Sequence, residues 1–530
     1  MSSDGAVESI SPRPILEVRS PRDGKVIAEV PVTPPESLPG IVAEARRAQQ
    51  EWARVPMKER VARLGRIQDR WLERASDIAS LLMKENGKSE VEALMSEVIP
   101  TIDLFKYWIK SVPMFLQREP ISLNPINFPG KRGYIDYEPR GVAALITPWN
   151  YPTSIPPRTL VPALLAGNAV VWKPSELSPL TGQLLYEIFS ADLPPGLLSL
   201  VQGDGTIGAR LVECDIDFVS FTGSVATGKR IAKSCAERFI PVSLEMGGKN
   251  AAIVLEDADL ERTSAGLVWG AFANAGQNCA AVSRVFVVRP VAAELEKRIR
   301  ARSAHVKFGP QTNDTYDVGP VISEKQFSRV LAHVDDAKSG GTKLWSGGER
   351  VGSEGNWIAP TILDSPGKNV ALYREETFGP TVAITVVENE SEAIQRANDS
   401  DYGLTASVWT RDLKRGERVA HQLQVGTITV NNTSFTPVIP NAPWAGRKAS
   451  GHGTTNSHRA LGEMVQTRFV LLDKSKGSEL WWFPHDETLR SLARALVGTL
   501  HRSIGRALGA FPAVIKLLMA RKKALAKPVT

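Results

Sequence analysis

From residue 169 to residue 255 the chain keeps returning to one arrangement, a short β-rich run followed by a helix-length segment and then another run. The runs are Ala169–Lys173, 198–203, 218–222 and 251–255. Parallel strands need a crossover of a dozen or more residues, usually helical, so this alternation predicts a parallel sheet covered by helices. A second alternating block begins near Asp257 and continues through runs at 285–288, 382–387 and 427–431, and predicts a second α/β unit. Ahead of both, from about Glu36 to Leu116, apolar residues recur every three or four positions. Val61, Leu64, Ile67 and Trp71, then Ile78, Leu81 and Leu82, predict helices there. Gly and Pro punctuate residues 132–150, which hold short strand signals at 134–137 and Val142–Ile146. A final strand is expected over 467–472.

At 530 residues the chain is long enough for two or three folded units. Its 42% hydrophobic and 23% charged residues, with 42 Gly and 36 Pro, exclude a mainly disordered or collagen-like protein. Cys214, Cys235 and Cys279 form neither a CxxC pair nor an even set, so a reducing compartment is expected. The net charge of +7 is concentrated at one end: residues 474–530 carry eleven Lys and Arg against Glu479, Asp486 and Glu487, leaving the body at −1. Such a body has no electrostatic footprint for nucleic acid. Residues 1–14 contain no apolar core of signal-peptide length, and no run reaches the ~18 to 20 apolar residues of a spanning helix. A cytoplasmic protein is expected, and the seven histidines show no paired spacing that would call for a metal.

Gly203, Gly205 and Gly208 have G-x-G-x-x-G spacing between a strand-like and a helical run, the context of a dinucleotide fingerprint. The acidic residue expected about 20 positions further on to hold a ribose hydroxyl is missing, and a tight turn explains the glycines equally well. A second Gly-rich strand-to-helix turn is F-T-G-S-V-A-T-G, from Phe221 through Gly223 and Ser224 to Gly228. In V-V-W-K-P-S-E a strand closes on Lys173 and Glu176. Backbone N–H groups at a helix start favour pyrophosphate, and the cation and acid suit ribose hydroxyls, although each alone is also ordinary loop chemistry. Cys279 ends the small-residue stretch F-A-N-A-G-Q-N-C, and an inert buried thiol is the commoner fate of a lone cysteine. Glu245 stands in L-E-M-G-G-K-N, and Asn150 in T-P-W-N-Y-P between two prolines.

Taken in order with E-E-T-F-G-P, which holds Glu376 and Phe378, and P-W-A-G-R-K-A-S-G, which holds Trp444, these motifs resemble the NAD(P)-dependent aldehyde dehydrogenase superfamily over residues 15–472. The resemblance implies an α/β, aldehyde dehydrogenase-like fold. It would have a Rossmann-type NAD-binding domain (1–121 and 138–247), a catalytic domain (248–466) and a small β oligomerisation element (122–137 and 467–472). It implies Cys279 as nucleophile, Asn150 with the Cys279 N–H as oxyanion donors, and Glu245 as the base that releases a carboxylic acid from the thioester. Cofactor binding falls by the same resemblance to Thr147, Pro148, Trp149, Lys173, Glu176, Phe221, Gly223, Ser224, Gly228, Gly247, Glu376 and Phe378, with Gly203 in a neighbouring loop. Glu176 favours NAD, because a carboxylate there repels a 2′-phosphate, while NADP stays open. Relatives that pass the acyl group to coenzyme A typically lack the Glu245 base, so hydrolysis is expected.

Arg158 matches a position where succinate-semialdehyde dehydrogenases hold a substrate carboxylate, but the second arginine of that pattern is here Ala273. The apolar stretch 431–444, with Phe435, Val438, Ile439 and Trp444, would line the pocket mouth or form an interface. Residues 474–530 extend past the family's usual end: Leu489, Leu492, Leu496, Leu500, Ile504, Leu508, Phe511, Ile515 and Leu518 recur at helical spacing beside Arg490, Arg494, Arg502, Arg506 and Lys516. Trp481, Trp482 and Phe483 precede them, and Pro512 is expected to kink or divide the helix. This basic amphipathic tail would lie on the inner face of an anionic membrane, or else pack on the enzyme or a second subunit. The expectation is a homodimeric or homotetrameric enzyme oxidising a medium- or long-chain aldehyde. Succinate-semialdehyde oxidation and a non-catalytic membrane scaffold are the alternatives.

Overall fold

The computed structural model describes residues 14–125, 127–310, 315–499 and 504–525. The stretch 1–13, for which no export signal is expected, lies outside them, as do Leu500, Arg502 and residues 526–530 of the tail; the side chains of Ile504, Arg506 and Leu508 lie outside them too. The chain divides into two compact units, Met1–Leu116 with Glu138–Gln466, and Gln117–Tyr137 with Thr467–Thr530.

In the first unit the N-terminal periodicity becomes the helices Leu38–Trp52, Met57–Glu73, Ala75–Glu85 and Ile99–Phe115. Leu64, Ile67 and Trp71 are fully buried, because residues three and four apart share a helix face. The Trp71 ring lies 6.2 Å from Phe105, which in turn lies 5.7 Å from Phe189 on the helix Pro179–Ser190. Burying each such ring contributes about 3 kcal/mol.

A six-stranded sheet runs, in spatial order, Gly451–His452, Val242–Met246, Phe218–Gly223, Val142–Ile146, Ala169–Lys173, Leu198–Leu200. All pairings are parallel except that of Gly451–His452, which pairs antiparallel with Val242–Met246. The chain leaves the central Val142–Ile146 strand toward one edge, then returns to build the other side from Phe218–Gly223. That reversal creates a switch point, where α/β sheets open a crevice at the carboxyl ends of their strands. The register levels those ends: Ile146 pairs with Lys173 on one side and Phe221 on the other, and Thr222 pairs with Glu245.

The second sheet has seven strands in the order Lys343–Ser346, Thr361–Asp364, Thr381–Val387, Val282–Val288, Asn250–Val254, Thr405–Trp409, Thr427–Val430, parallel except at the Lys343–Ser346 edge. Only Gly247, Gly248 and Lys249 separate the last strand residue of the first sheet, Met246, from the first of the second, Asn250. The carboxyl ends of one sheet therefore meet the amino ends of the other. Two expected runs end early for local reasons. Residues 198–203 keep strand geometry only to Leu200, because Gly203 turns at φ 150° and Asp204 caps the helix Gly205–Glu213. Residues 427–431 stop at Val430, because Asn431 is left-handed at φ 57°.

The second unit holds a three-stranded sheet in the order Val465–Asp473, Lys131–Pro139, Glu119–Ile121. Its tail is a pair of helices, Glu487–Thr499 and Ile504–Leu525, packed on each other through buried Leu492 and Val514. The second helix runs through Pro512, which therefore does not divide it. A proline removes one helix hydrogen bond, and here packing of the following turns outweighs that loss. Arg521, fully buried, donates to the carbonyls of Leu480 and Trp482 and to Asp486, tying the second helix back to the start of the tail. Among the described residues no helix is long and apolar enough to cross a membrane.

Candidate active site

The switch-point crevice is a cleft of about 1010 Å³ in the first unit. Cys279, Glu245 and Asn150 all line it, although they come from the loop leading into the strand Val282–Val288 of the second sheet, the strand Val242–Met246 of the first sheet and the loop after its central strand. Cys279 is partly buried, its thiol enclosed by protein. That burial pushes the thiol up to about 12, while Arg158 pulls it down and Glu376 and Glu245 push it further up. The thiol is therefore protonated at rest and needs a base to become a nucleophile. Glu245 is buried with neither carboxylate oxygen in a well-formed hydrogen bond, and burial holds its carboxyl well above the usual range, opposed by Arg158 and by the nearby Trp444 indole. A buried carboxyl so placed, facing a cavity, is equipped to exchange protons with what enters it.

The backbone approaching Cys279 is strained. Asn274 and Ala275 are both left-handed at φ 54°, which for two consecutive non-glycine residues demands support from their surroundings. Asn250 supplies part of it, its Nδ2 donating to the carbonyls of Cys279 (2.7 Å) and Ala281 (2.8 Å). Ser434 Oγ donates to the Ala280 carbonyl at 2.9 Å. Asn250 was visible in its motif but its role was not, because the bonds span 29 and 31 residues; nothing in the sequence marks Ser434.

Thr147, Pro148 and Trp149 follow the central strand into the cleft, and Lys173 and Glu176 close the next strand beside them. Lys173 is buried, its ammonium 3.7 Å from Glu176 and bonded to the Pro174 carbonyl. Burial lowers its pKa and Glu176 opposes that change. Phe221, Gly223 and Ser224 line the wall where the helix Val225–Ala236 begins, and Ser224 Oγ caps that helix by accepting from Thr227 N. A helix N-terminus opening on a cleft favours phosphate. At Gly247 a Cβ would lie 1.9 Å from Glu376 Oε2, so glycine is needed for that carboxylate to reach the Gly248 N–H, from which it accepts at 2.9 Å. Phe378, left-handed at φ 58°, sets its ring edge-on to Trp149 with centroids 5.5 Å apart. The donor set, the open helix start and the two rings fit a dinucleotide.

Two residues of the expected cofactor set do not line the cleft. Gly228 is buried under the helix, where a Cβ would lie 2.3 Å from Met246 Sδ, so it serves close packing of helix on strand. Gly203 forms the turn before Asp204, whereas Gly205 and Gly208 do reach the wall. Of the stretch 431–444 only Trp444 lines the cleft, buried against Ala280 and Leu404. Phe435 is exposed, and the turn Thr436–Val438 packs on the helix Ile99–Phe115. Arg158 lines the cleft, and no hydrogen bond or ion pair is formed by its guanidinium among the described residues.

The model of the aldehyde dehydrogenase family matches residues 7–470. The chain is 37% identical over 468 residues (88% of the chain, 87% of the relative) to a 4,4'-diapolycopene aldehyde oxidase from Methylomonas sp. It is 36% identical over 466 residues (87% and 94%) to a betaine aldehyde dehydrogenase from Cereibacter sphaeroides. The crystal structure of a betaine aldehyde dehydrogenase from Staphylococcus aureus in complex with NAD+ superposes with a TM-score of 0.83 at 31% identity, covering 89% of this chain and 94% of the other. A match of this extent, on a cleft so furnished, leaves one conclusion: the chain belongs to the aldehyde dehydrogenase family and is an NAD(P)-dependent enzyme of that kind.

Proposed function

We propose that this enzyme oxidises an apolar medium- or long-chain aldehyde to its carboxylic acid, with NAD as the preferred cofactor. The observation that carries the mechanism is the convergence of Cys279, Asn150 and buried Glu245 on one cleft. Glu245 takes the thiol proton as Cys279 Sγ bonds to the aldehyde carbon. Asn150 Nδ2 and the Cys279 N–H face the developing alkoxide oxygen. The bound nicotinamide supplies the acceptor for the hydride that leaves this carbon. Glu245, its proton lost to solvent, then removes a proton from water as the water oxygen bonds to the thioester carbon; the C–S bond breaks and the acid departs. Lys173 and Glu176 would hold the adenosine ribose and Glu376 the nicotinamide ribose, with Phe378 packing near the nicotinamide. The Glu176 carboxylate opposes a 2′-phosphate.

Three observations support an apolar substrate. Val91, Met95 and Ile99, four residues apart, are exposed along the segment whose Glu92 and Glu97 bond to the loops at Asn274 and Thr153 beside the site. Trp269 is half-exposed on the helix leading into the Cys279 loop. The Methylomonas relative is named for the aldehyde of 4,4'-diapolycopene. Arg158 favours a second reading, an acidic aldehyde such as succinate semialdehyde, and the same unpaired cation opposes the cationic substrate named for the betaine aldehyde relatives. NAD reduction with aldehydes from acetaldehyde through decanal, alongside succinate semialdehyde, tests both: kcat/KM rising with chain length supports the first, and a preference for succinate semialdehyde the second. A scaffold without catalysis is set aside by the intact Cys279, Glu245 and Asn150.

The tail fits the surface of an anionic membrane. Phe511, Ile515 and Met519 form an exposed stripe four residues apart, ending at Lys522 and Lys523, and Leu496 and Val497 are exposed beside Arg490 and Arg494. Trp481, Trp482 and Phe483 are exposed where Arg521 fixes the backbone. Apolar and aromatic side chains bordered by cations suit the headgroup boundary, and the +8 of residues 474–530 complements anionic lipid. Phe469, Leu471 and Leu472 on the exposed strand Val465–Asp473 suit pairing between copies, as a homodimer or homotetramer. Co-sedimentation with phosphatidylglycerol vesicles, lost in high salt and in Phe511→Ser/Ile515→Ser/Met519→Ser, supports the membrane; a changed oligomer size instead assigns the stripe to a subunit contact.

A further inference from the structure

Behind the cleft lies a buried polar cluster that neither the motifs nor the mechanism uses. Lys88, 1% exposed in the loop between the helices Ala75–Glu85 and Glu90–Ala93, directs its ammonium to three oxygens. It donates to the Asn150 carbonyl (2.9 Å) and to Asn274 Oδ1 (2.7 Å), and pairs with Glu97 Oε1 at 3.3 Å. Glu97, fully buried, turns its other oxygen to Thr153 N and Oγ1 and to Ser154 N, on the loop just after Asn150. The Glu92 carboxylate accepts from Asn274 N. Asn274 Nδ2 donates to the Asn150 carbonyl (2.9 Å) and to the Gln277 carbonyl (3.1 Å), and Asn150 Nδ2 donates to that same Gln277 carbonyl at 3.1 Å. Asn274 Nδ2 thus joins the two loops, while Lys88 holds its Oδ1, Glu92 its N–H, and its carbonyl accepts from Gln277 N and Nε2.

The consequence for Asn150 is geometric. One amide hydrogen goes to the Gln277 carbonyl, two residues before Cys279, so the other is fixed in direction, and Asn150 Oδ1 is buried without a partner. Flipping the amide would set Oδ1 against the Gln277 carbonyl oxygen, so Nδ2 stays on that side. The cluster at its own carbonyl and at Gln277 sets the direction in which Nδ2 points. We infer that Asn274, held in left-handed backbone by Lys88 and Glu92, is a positioning residue that aims the Asn150 amide at the oxygen of the carbonyl attacked by Cys279. The strain at Asn274 and Ala275 is sustained by this network, which acts on the transition state and not on substrate capture.

The inference rests on the cysteine mechanism proposed above, and the experiment separates the two. Asn274→Gly keeps the left-handed backbone accessible and removes only the side chain. In the full-length enzyme it lowers kcat by about tenfold to a hundredfold, the scale of a displaced catalytic group, while KM for aldehyde and for NAD stays within about threefold. In a double-mutant cycle with Asn150→Ala, the second substitution adds little to the first, because both remove the same interaction. A kcat of Asn274→Gly within twofold of the parent, or losses that multiply in the cycle, overturns the inference. If Asn274→Gly does not fold, Asn274→Asp carries the same test, since aspartate tolerates left-handed backbone and can accept from Lys88 but cannot donate to the two carbonyls. A fully active Cys279→Ser sinks the mechanism itself; an inactive Cys279→Ser with a fully active Asn274→Gly sinks only the positioning role.

Discussion

Asn250 Nδ2 donates to the carbonyl oxygen of Cys279 at 2.7 Å, so the first residue of one strand holds the candidate nucleophile on the loop that leads into the neighbouring strand. Asn250 Oδ1 meanwhile accepts from Thr405 N at 3.1 Å, which gives one amide a grip on three segments of the second sheet. Asn250→Ala leaves these buried backbone groups unpaired. A loss of about 2 to 3 kcal/mol follows, read as a lower denaturant midpoint, and Asn250→Asp, which keeps only the acceptor, falls between the variant and the parent.

Burial pushes the Cys279 thiol up to about 12 and Arg158 is the strongest counterweight. Alkylation of the cofactor-free enzyme by iodoacetamide should therefore climb about tenfold per pH unit from pH 7 to pH 10, because the thiolate fraction does so below its pKa. Arg158→Leu slows alkylation at each pH. A plateau near neutrality would show a thiolate already formed.

Glu376 is held up to about 7 by burial, with the Gly248 N–H opposing. A raised carboxyl is a full acceptor only above its folded pKa, so its capacity to hold a ribose diol is lost as pH falls through about 7. KM for NAD should rise below that pH in the parent and stay flat in Glu376→Gln. Parallel curves for the two proteins would remove Glu376 from cofactor binding.

Glu85 accepts from Leu180 N, Thr181 N and Thr181 Oγ1 at the start of the helix Pro179–Ser190, yet burial raises its carboxyl to about 7. Its folded pKa lies above the unfolded value of 4.5. The stability contributed is then fully present below pH 4.5 and lost as pH rises through about 7, a change of roughly 3 kcal/mol. Unfolding of the parent and of Glu85→Gln, compared at pH 4.5 and pH 7.5, should show the parent losing ground to the variant at the higher pH. An unchanged difference would mean that the three donors keep Glu85 ionised throughout.

Strands were legible where local composition alone decides them. Ala169–Lys173 and Val142–Ile146 have the expected bounds, because a buried strand of a parallel sheet is a continuous run of β-branched and apolar residues. Cys279, Glu245, Asn150, Glu376 and Phe378 were legible as motifs, each carried by a few adjacent residues. Lys88, Glu92 and Glu97 were not, since three charged residues in a helical stretch read as a solvated face until burial is known. Gly228 looked like a phosphate-binding glycine because the sequence holds no sign of Met246 above it.

By itself the sequence determined the class of the protein: two α/β blocks with the aldehyde dehydrogenase motifs, and a basic tail beyond them. Only the tertiary structure decided the strand order, with Gly451–His452 joining a sheet otherwise built before residue 247. It alone decided that the tail is a helical pair whose second helix continues through Pro512, and that Asn274 ties Asn150 to the Cys279 loop. The physical reason is range. Periodicity and turn chemistry act over a few residues, whereas the partners of Asn274 lie up to 186 residues away and are selected by the packing of the whole unit.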